Sequence, residues 1–294
     1  MSATIEALIQ AERLPARYAE IVERWWKPLA ARLRDRHAVL GRPMVVGVNG
    51  AQGSGKSTLC AFLEAVLLPE LGLSAVTLSL DDFYLDRARR AHLAATEHPL
   101  FTTRGVPGTH DVTLLRDMLA RLAAPEPGTV RIPRFSKADD DVLPRDQWRS
   151  VPTPADIVLL EGWCIGVGPE HDADIREPVN ELERIEDPDG VWRCAVNRAL
   201  AGAYRALFDQ LDYLVFFEIG TFADVFANRL LQERKLRGPD VDQTALRRFV
   251  MHYERLTRHA LETLPAVADA RIVLGSTQAI SDVIYADVKH EKAR

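Results

Sequence analysis

The run Gly50-Ala51-Gln52-Gly53-Ser54-Gly55-Lys56-Ser57 satisfies the pattern G-x-x-x-x-G-K-[ST] in full. In such a loop the glycines let the backbone curl until its N–H groups point at phosphate oxygens, the work expected of Gly50, Gly53 and Gly55. Lys56 is expected to reach the β- and γ-phosphates of a nucleoside triphosphate, and Ser57 to place its hydroxyl on Mg²⁺. The pattern has meaning only between a buried strand and a helix. Both are present in the sequence. Met44–Asn49 is a short apolar run suited to a buried parallel strand, and a helical pattern runs on to about Leu68. The start of that helix turns its dipole towards the same anion. Residues Gly50 to Thr58 are therefore expected to bind nucleotide. A glycine-rich turn that fitted by accident would lack these neighbours.

Phosphate chemistry also needs carboxylates. Two apolar runs end in one, Ile157-Val-Leu-Leu-Glu161 and Leu214-Val-Phe-Phe-Glu218. Ligands of parallel α/β sheets collect at the carboxyl ends of strands, so either glutamate can face the nucleotide. Gly162 allows a sharp turn beside the phosphates and favours Glu161. For each, the plain alternative is a solvated charge at a strand end. A third run, Ala75–Leu80, ends in Asp81-Asp82. A carboxylate there suits a kinase, in which it positions an acceptor hydroxyl and takes its proton late in a loose transition state. Adjacent aspartates suit duty around a metal equally well, and spacing does not separate the two roles.

These residues need elements to hold them. Ile5, Leu8 and Ile9, then Tyr18, Ile21, Val22, Trp25, Trp26 and Leu29, fall at helical spacing on either side of Pro15. They predict a helical N-terminal extension over residues 1–40, docked on the core through its tryptophans, ahead of one domain over 41–294. Asp111 can cap a helix striped by Leu114, Leu115, Met118, Leu119 and Leu122. A long helix is expected over Val191–Leu211, followed by a strand at Tyr213–Phe217. Thr221 with Asp224 has a capping-box pattern and starts a helix that Gly238 ends. A further helix spans about Gln243 to Leu264, and Arg271–Leu274 closes the sheet. Strands alternating with helices predict an α/β fold of three layers, with a parallel sheet covered on both faces.

Composition supports this and removes other classes. The chain has 294 residues, 47% hydrophobic and 27% charged, enough for a large core. A net charge of −5 argues against a nucleic-acid or anionic-membrane surface, so an anionic substrate must be met by local cations. Cys60, Cys164 and Cys194 lack metal-ligand spacing and read as reduced thiols. With no signal-like start and no membrane-length apolar run, a cytoplasmic location is expected. The oligomeric state is not legible. The N-K-x-D run of guanine-reading GTPases is absent, and Asp187-Pro-Asp-Gly190, which mimics a switch motif, follows a polar loop and reads as a turn. No repeat marks a motor. A small-molecule kinase and a regulatory nucleotide-binding protein with slow hydrolysis both stay open.

The run Ser79-Leu-Asp-Asp-Phe-Tyr84, after the strand that follows the phosphate loop, resembles the phosphoribulokinase, uridine kinase and pantothenate kinase superfamily. Arg104-Gly-Val-Pro-Gly-Thr-His110-Asp111, Glu161-Gly-Trp-Cys-Ile-Gly166 and Val196-Asn197 with Tyr204 narrow the resemblance to the D-glycerate 3-kinase family. Arg229-Leu-Leu-Gln-Glu233 and Phe249-Val250 with Tyr253 extend it, so that it covers roughly Val45 to Tyr253. The resemblance implies a P-loop nucleoside triphosphate hydrolase fold with a lid helix, ATP as co-substrate, Mg²⁺, and transfer of the γ-phosphate to D-glycerate, giving 3-phosphoglycerate. It implies Asp81 as catalytic base, Lys56 on the phosphates and Glu161 on the metal side with Ser57. It sets Glu218 on the strand before the lid. Glycerate carries a carboxylate and hydroxyls, and its carboxylate calls for an arginine fork, for which Arg104 is the candidate. Asp82 and Tyr84 are expected to bind substrate and His110 and Asp111 its hydroxyls, with a plain helix cap the competing account of Asp111. Lys137 is expected to neutralise substrate or phosphate charge, with a surface lysine as its alternative. Arg229 and Arg234 belong to the lid, which folds over the phosphates and excludes water. Two positions and one run depart from the family: Ser136 where an aspartate precedes the lysine, Asn228 where an aromatic precedes Arg229, and the acidic run Ala138-Asp-Asp-Asp141. Another small acceptor, whether a nucleoside, a pantothenate-like acid or a polyol, is the alternative substrate.

Overall fold

A computed structural model describes residues 4–238, 240–275 and 279–286. Among these the strands, in chain order, are β1 (Met44–Gly50), β2 (Ala75–Ser79), β3 (Gly128–Ile132), β4 (Phe135–Ser136), β5 (Asp141–Val142), β6 (Arg149–Thr153), β7 (Ile157–Gly162), β8 (Tyr213–Glu218), β9 (Ala270–Leu274) and β10 (Ile280–Tyr285). Six of them form the central sheet in the order β10-β9-β8-β1-β7-β2. The five from β9 to β2 run parallel, whereas β10 lies antiparallel to β9. The expectation that Arg271–Leu274 closes the sheet is thereby corrected. The run Ile-Ser-Asp-Val-Ile-Tyr is broken by two polar residues because an edge strand with one wet face need not be apolar throughout. Two small antiparallel pairs, β3 with β6 and β4 with β5, stand beside the main sheet.

Side chains alternate across the sheet and build two cores. Val46, Val48, Ile157, Leu159, Val215 and Phe217 face the helix that begins at Lys56 and the N-terminal helices. Val158, Leu160, Leu214 and Phe216 face the helices Val112–Ala123, Val191–Ala199 and Gln243–Thr263. Both faces are covered, which is why the inner strands read as nearly unbroken apolar runs. Within the N-terminal segment Trp26 is buried against Phe217 (ring centroids 6.2 Å) and Tyr18 stacks on Phe62 at 5.5 Å. The extension thus packs directly on the helix that follows the phosphate loop.

Local signals position the remaining helices. Thr221 N donates to the Asp224 carboxylate at 2.9 Å, completing the capping box of the helix Phe222–Arg237. The Asp187–Gly190 segment is the expected turn, and the Asp187 carboxylate accepts the N–H groups of Trp192 at 2.8 Å and Arg193 at 3.1 Å. Cys60, Cys164 and Cys194 are free thiols. Among the described residues no helix is long and apolar enough to cross a membrane.

The strand order decides where a ligand can sit. From β1 the chain moves to one side for β2 and β7, then to the other for β8, so a crevice opens at the carboxyl end of β1.

Candidate active site

That crevice is a cleft of about 280 Å³. One part of its lining is the phosphate loop, through Gln52, Gly53, Lys56 and Ser57. Gly53 and Gly55 hold φ values of 79° and 98°, which favour glycine. At Gly50 an added Cβ would stand 2.6 Å from Phe217 Cβ and 2.7 Å from Ser54 Oγ, so the loop closes only around a bare backbone. The helix starts at Lys56 with Gly55 as its N-cap, and no side chain covers its first N–H groups. They are available to an anion. Lys56 Nζ donates to the Ala51 carbonyl at 3.1 Å, which folds the ammonium back over the loop.

Register brings the carboxylates to the same level. β1 pairs with β7 so that Asn49 faces Gly162, and β2 pairs with β7 so that Ser79 faces Glu161. Ser79 Oγ donates to Glu161 Oε1 at 2.6 Å. Glu161 and Ser57 line one cleft and offer oxygen donors only. Among the described residues no group of three or more His, Cys, Asp or Glu is gathered for a metal. Two protein oxygens plus phosphates and water are what Mg²⁺ takes beside a nucleotide, so these residues fit that ion.

Asp81 sits in the short turn Leu80–Phe83 after β2. Its Oδ2 accepts from Lys137 Nζ at 2.6 Å and its Oδ1 from the Tyr84 hydroxyl at 2.7 Å. Burial works to raise its pKa, but the Lys137 ammonium, with help from Tyr84, outweighs this and holds the carboxyl below its ordinary value. Asp81 is ionised at neutral pH. Asp82 differs. Burial raises it, opposed in part by the Phe135 N–H, which donates to Asp82 Oδ1 at 3.1 Å. Arg104 pairs with Asp140, which the buried Arg90 also grips at 2.9 Å, and its guanidinium lies 5.4 Å from the Phe135 ring centroid. The Arg104 loop is pinned by Trp163 Nε1, which donates to the Gly105 carbonyl at 2.9 Å, and by the Tyr253 hydroxyl on the Arg104 carbonyl at 3.2 Å. Arg229, from the helix Phe222–Arg237, reaches the same cleft and pairs with Glu233.

A strand, a glycine cradle and a strand-end acid in this order invite comparison with known proteins. The profile of the "Phosphoribulokinase / Uridine kinase family" matches residues 45–180. An uncharacterized kinase of Schizosaccharomyces pombe is 35% identical over 225 residues, which take in 72% of this chain and 79% of that protein. The chain belongs to the phosphoribulokinase/uridine kinase family. The chloroplastic D-glycerate 3-kinase of Arabidopsis thaliana is 30% identical over 203 residues, covering 66% of this chain and 42% of that protein. The solved structure of a D-glycerate 3-kinase from Cryptococcus neoformans superposes with a TM-score of 0.72 at 25% identity, over 89% of this chain and 99% of that one. The fold is that of P-loop kinases.

Within this kinase fold the residues singled out from sequence separate into two groups. Gln52, Gly53, Lys56, Ser57, Asp81, Asp82, Tyr84, Arg104, Lys137, Glu161 and Arg229 share the cleft. Gly50, Ala51, Ser54, Gly55 and Thr58 complete the loop and helix start behind it. His110, Asp111 and Arg234 do not line it. Asp111 caps the helix Val112–Ala123, accepting the Leu114 N–H at 3.0 Å, and pairs with Arg89 at 2.5 Å, so its expected hydroxyl-binding role gives way to the cap. His110 is buried with its ring stacked on Tyr84 at 4.6 Å, which removes it from contact with an acceptor in the cleft. Arg234 is exposed on its helix. Glu218 pairs with Arg271 at 2.7 Å outside the cleft, whereas Glu161 lines it. Four lining residues escaped the sequence reading of the site: Ser79, Trp163, Phe249 and Tyr253. Ser79 and Trp163 lie inside motif runs and were findable there. Phe249 and Tyr253 stand four apart on one helix, a spacing that core residues share.

Proposed function

We propose that this chain transfers the γ-phosphate of ATP to a hydroxyl of D-glycerate, giving 3-phosphoglycerate and ADP. The observation that carries the reading is a single cleft holding the phosphate cradle, an ionised, half-buried aspartate and two cations, Arg104 and Lys137, beside that aspartate's turn. In this reading Lys56 and the first N–H groups of its helix hold the β- and γ-phosphates. Ser57 and Glu161 hold Mg²⁺, which when bound neutralises charge on the phosphate oxygens. The Arg104 fork takes the acceptor's carboxylate, a planar match that fixes its orientation. Asp81 accepts the hydrogen bond of the reacting hydroxyl. As the new O–P bond forms and the bond from γ-phosphorus to the bridging oxygen breaks, the hydroxyl proton passes to Asp81 and ADP departs. Lys137 is 63% exposed, and its ammonium is free to leave Asp81 for the charge the substrate brings. Arg229 and its helix close over the phosphates and keep out water. The similarity to the D-glycerate 3-kinases of Arabidopsis and Cryptococcus supports the same acceptor.

The test is ADP release by the purified protein with ATP, Mg²⁺ and one acceptor at a time: D-glycerate, L-glycerate, glycerol, pantothenate or uridine. D-Glycerate is expected to give the strongest stimulation. A larger response to pantothenate or uridine would move the acceptor class. Slow release indifferent to every acceptor would make this a regulatory nucleotide-binding protein.

A further inference from the structure

We propose that Tyr84, backed by His110 and Tyr204, is the positioning residue that orients Asp81 towards the acceptor hydroxyl. The proposal rests on the reading of Asp81 as base, and it reassigns Tyr84 from an expected substrate contact. Two side chains hold the Asp81 carboxylate. Lys137 is largely exposed, whereas Tyr84 is 4% exposed and its hydroxyl is already committed to Oδ1 at 2.7 Å. The stiffer partner sets the carboxylate plane.

Tyr84 is itself held on several sides. Its ring stacks on His110 at 4.6 Å and meets Phe135 edge-on at 5.1 Å. Its backbone bridges that of His110, flanked by Leu85 N on the Thr109 carbonyl at 2.8 Å and Asp111 N on the Phe83 carbonyl at 2.7 Å. His110 is fixed in turn by Tyr204, whose hydroxyl lies 2.5 Å from Nδ1. That hydroxyl also accepts the Gly108 N–H at 3.1 Å, so the ring is anchored to the Gly108 turn through Tyr204. Burial holds the pKa of His110 down at about 4, so the ring is uncharged near pH 7. Among the described residues the His110 Nε2 is buried without a hydrogen-bond partner. An unpaired buried polar atom lowers stability, so the stack is held by its rings and by Tyr204 rather than through Nε2. It places an uncharged ring behind Tyr84 and leaves the base's charge unneutralised from that side.

The titratable groups around Asp81 are Asp82 and Tyr84 next to it in the chain, Lys137 between β4 and β5, His110, Cys164 and Tyr253. Burial pushes the Cys164 thiol and the Tyr253 hydroxyl up and His110 down, so these three stay neutral near pH 7. Removing the Tyr84 hydroxyl takes a donor from the ionised form of Asp81 and raises its pKa.

Tyr84→Phe keeps the ring and the stack and deletes only that hydroxyl. We expect kcat to fall by about tenfold, the low side of effects on acid–base groups, with the KM values of ATP and acceptor little changed. The acidic limb of the kcat–pH profile should move to higher pH, and the melting temperature should stay near the parent's. An unchanged kcat with an unmoved limb overturns the proposal. So does a loss expressed in acceptor KM with an unmoved limb, since Tyr84 would then be a binding contact. Asp81→Asn, run alongside, separates the two levels of the argument. If it is harmless, the base assignment falls and this proposal with it. If it is severe while Tyr84→Phe is silent, only the positioning role falls. Tyr204→Phe should act in the same direction by a smaller factor, and a silent Tyr204→Phe removes Tyr204 from the assignment.

Discussion

Lys56 and Arg104 are both cations of the cleft, and the folded chain already supplies each with an oxygen partner: the Ala51 carbonyl for Lys56 and the Asp140 carboxylate for Arg104. The partners differ in consequence. A neutral carbonyl leaves the Lys56 charge unmatched until phosphate arrives, so Lys56→Ala should nearly abolish turnover in a coupled assay while the protein melts close to the parent. Arg104 shares Asp140 with Arg90, and these two cations on one carboxylate leave a positive charge for a monocarboxylate. An arginine can keep Asp140 with one edge and offer the rest of its fork, which a lysine cannot. Each hydrogen bond to a charged group is worth about 1.5–3 kcal/mol, so Arg104→Lys should raise the D-glycerate KM by about tenfold or more. The ATP KM should stay near normal. A normally folded Arg104→Lys that still handles D-glycerate as the parent does would transfer the carboxylate role to Lys137.

At the scale of elements, the sheet explains why one strand-end glutamate enters the cleft and the other does not. β7 lies between β1 and β2, so its last side chains rise beside the phosphate loop and the Asp81 turn, while Glu218 ends β8 next to Arg271 on β9. Glu161→Gln should therefore raise the Mg²⁺ concentration needed for half-maximal rate, and Glu218→Gln should leave it unchanged. Equal Mg²⁺ titrations for Glu161→Gln and the parent would remove Glu161 from the metal side. Much of this was legible in the sequence because a buried parallel strand must be apolar throughout, so strand, loop and helix announce themselves in order. Other parts were not. β10 carries the exposed Ser281 and Asp282 where its register with β9 shifts, which hides an edge strand among loop residues. Asp111 stands in a run that resembles a substrate loop, yet the first turn of the next helix claims its carboxylate. The Arg104–Asp140 pair joins positions 36 apart, and no local pattern reports a contact that only tertiary packing creates.

For the molecule as a whole, the cores on the two faces of the sheet carry titratable groups whose burial makes stability depend on pH. His110 has an ordinary pKa of 6.5, held down to about 4 in the fold, and His252 is shifted in the same direction by burial. A depressed histidine means that the unfolded chain binds a proton the folded chain refuses. Between pH 6.5 and about 4, stability must therefore fall as pH falls, and the loss from His110 levels off once the folded state also takes its proton. That span corresponds to on the order of 3 kcal/mol for a single fully buried group, a large share of a typical folding free energy. Asp82 and Glu170, raised mainly by burial, oppose the trend because their folded forms bind protons first. Asp81 and Asp140 add to the loss only at lower pH, since the stability from their depressed values disappears as pH falls below the carboxylate range and through the folded pKa. His110→Gln isolates the first effect, because glutamine can meet the Tyr204 hydroxyl yet does not titrate. Denaturant unfolding at a series of pH values should show a steep decline for the parent through the histidine range and a shallower one for His110→Gln. If the two proteins declined in parallel, His110 would not be buried neutral behind Tyr84, and the uncharged stack that orients Asp81 would lose its foundation.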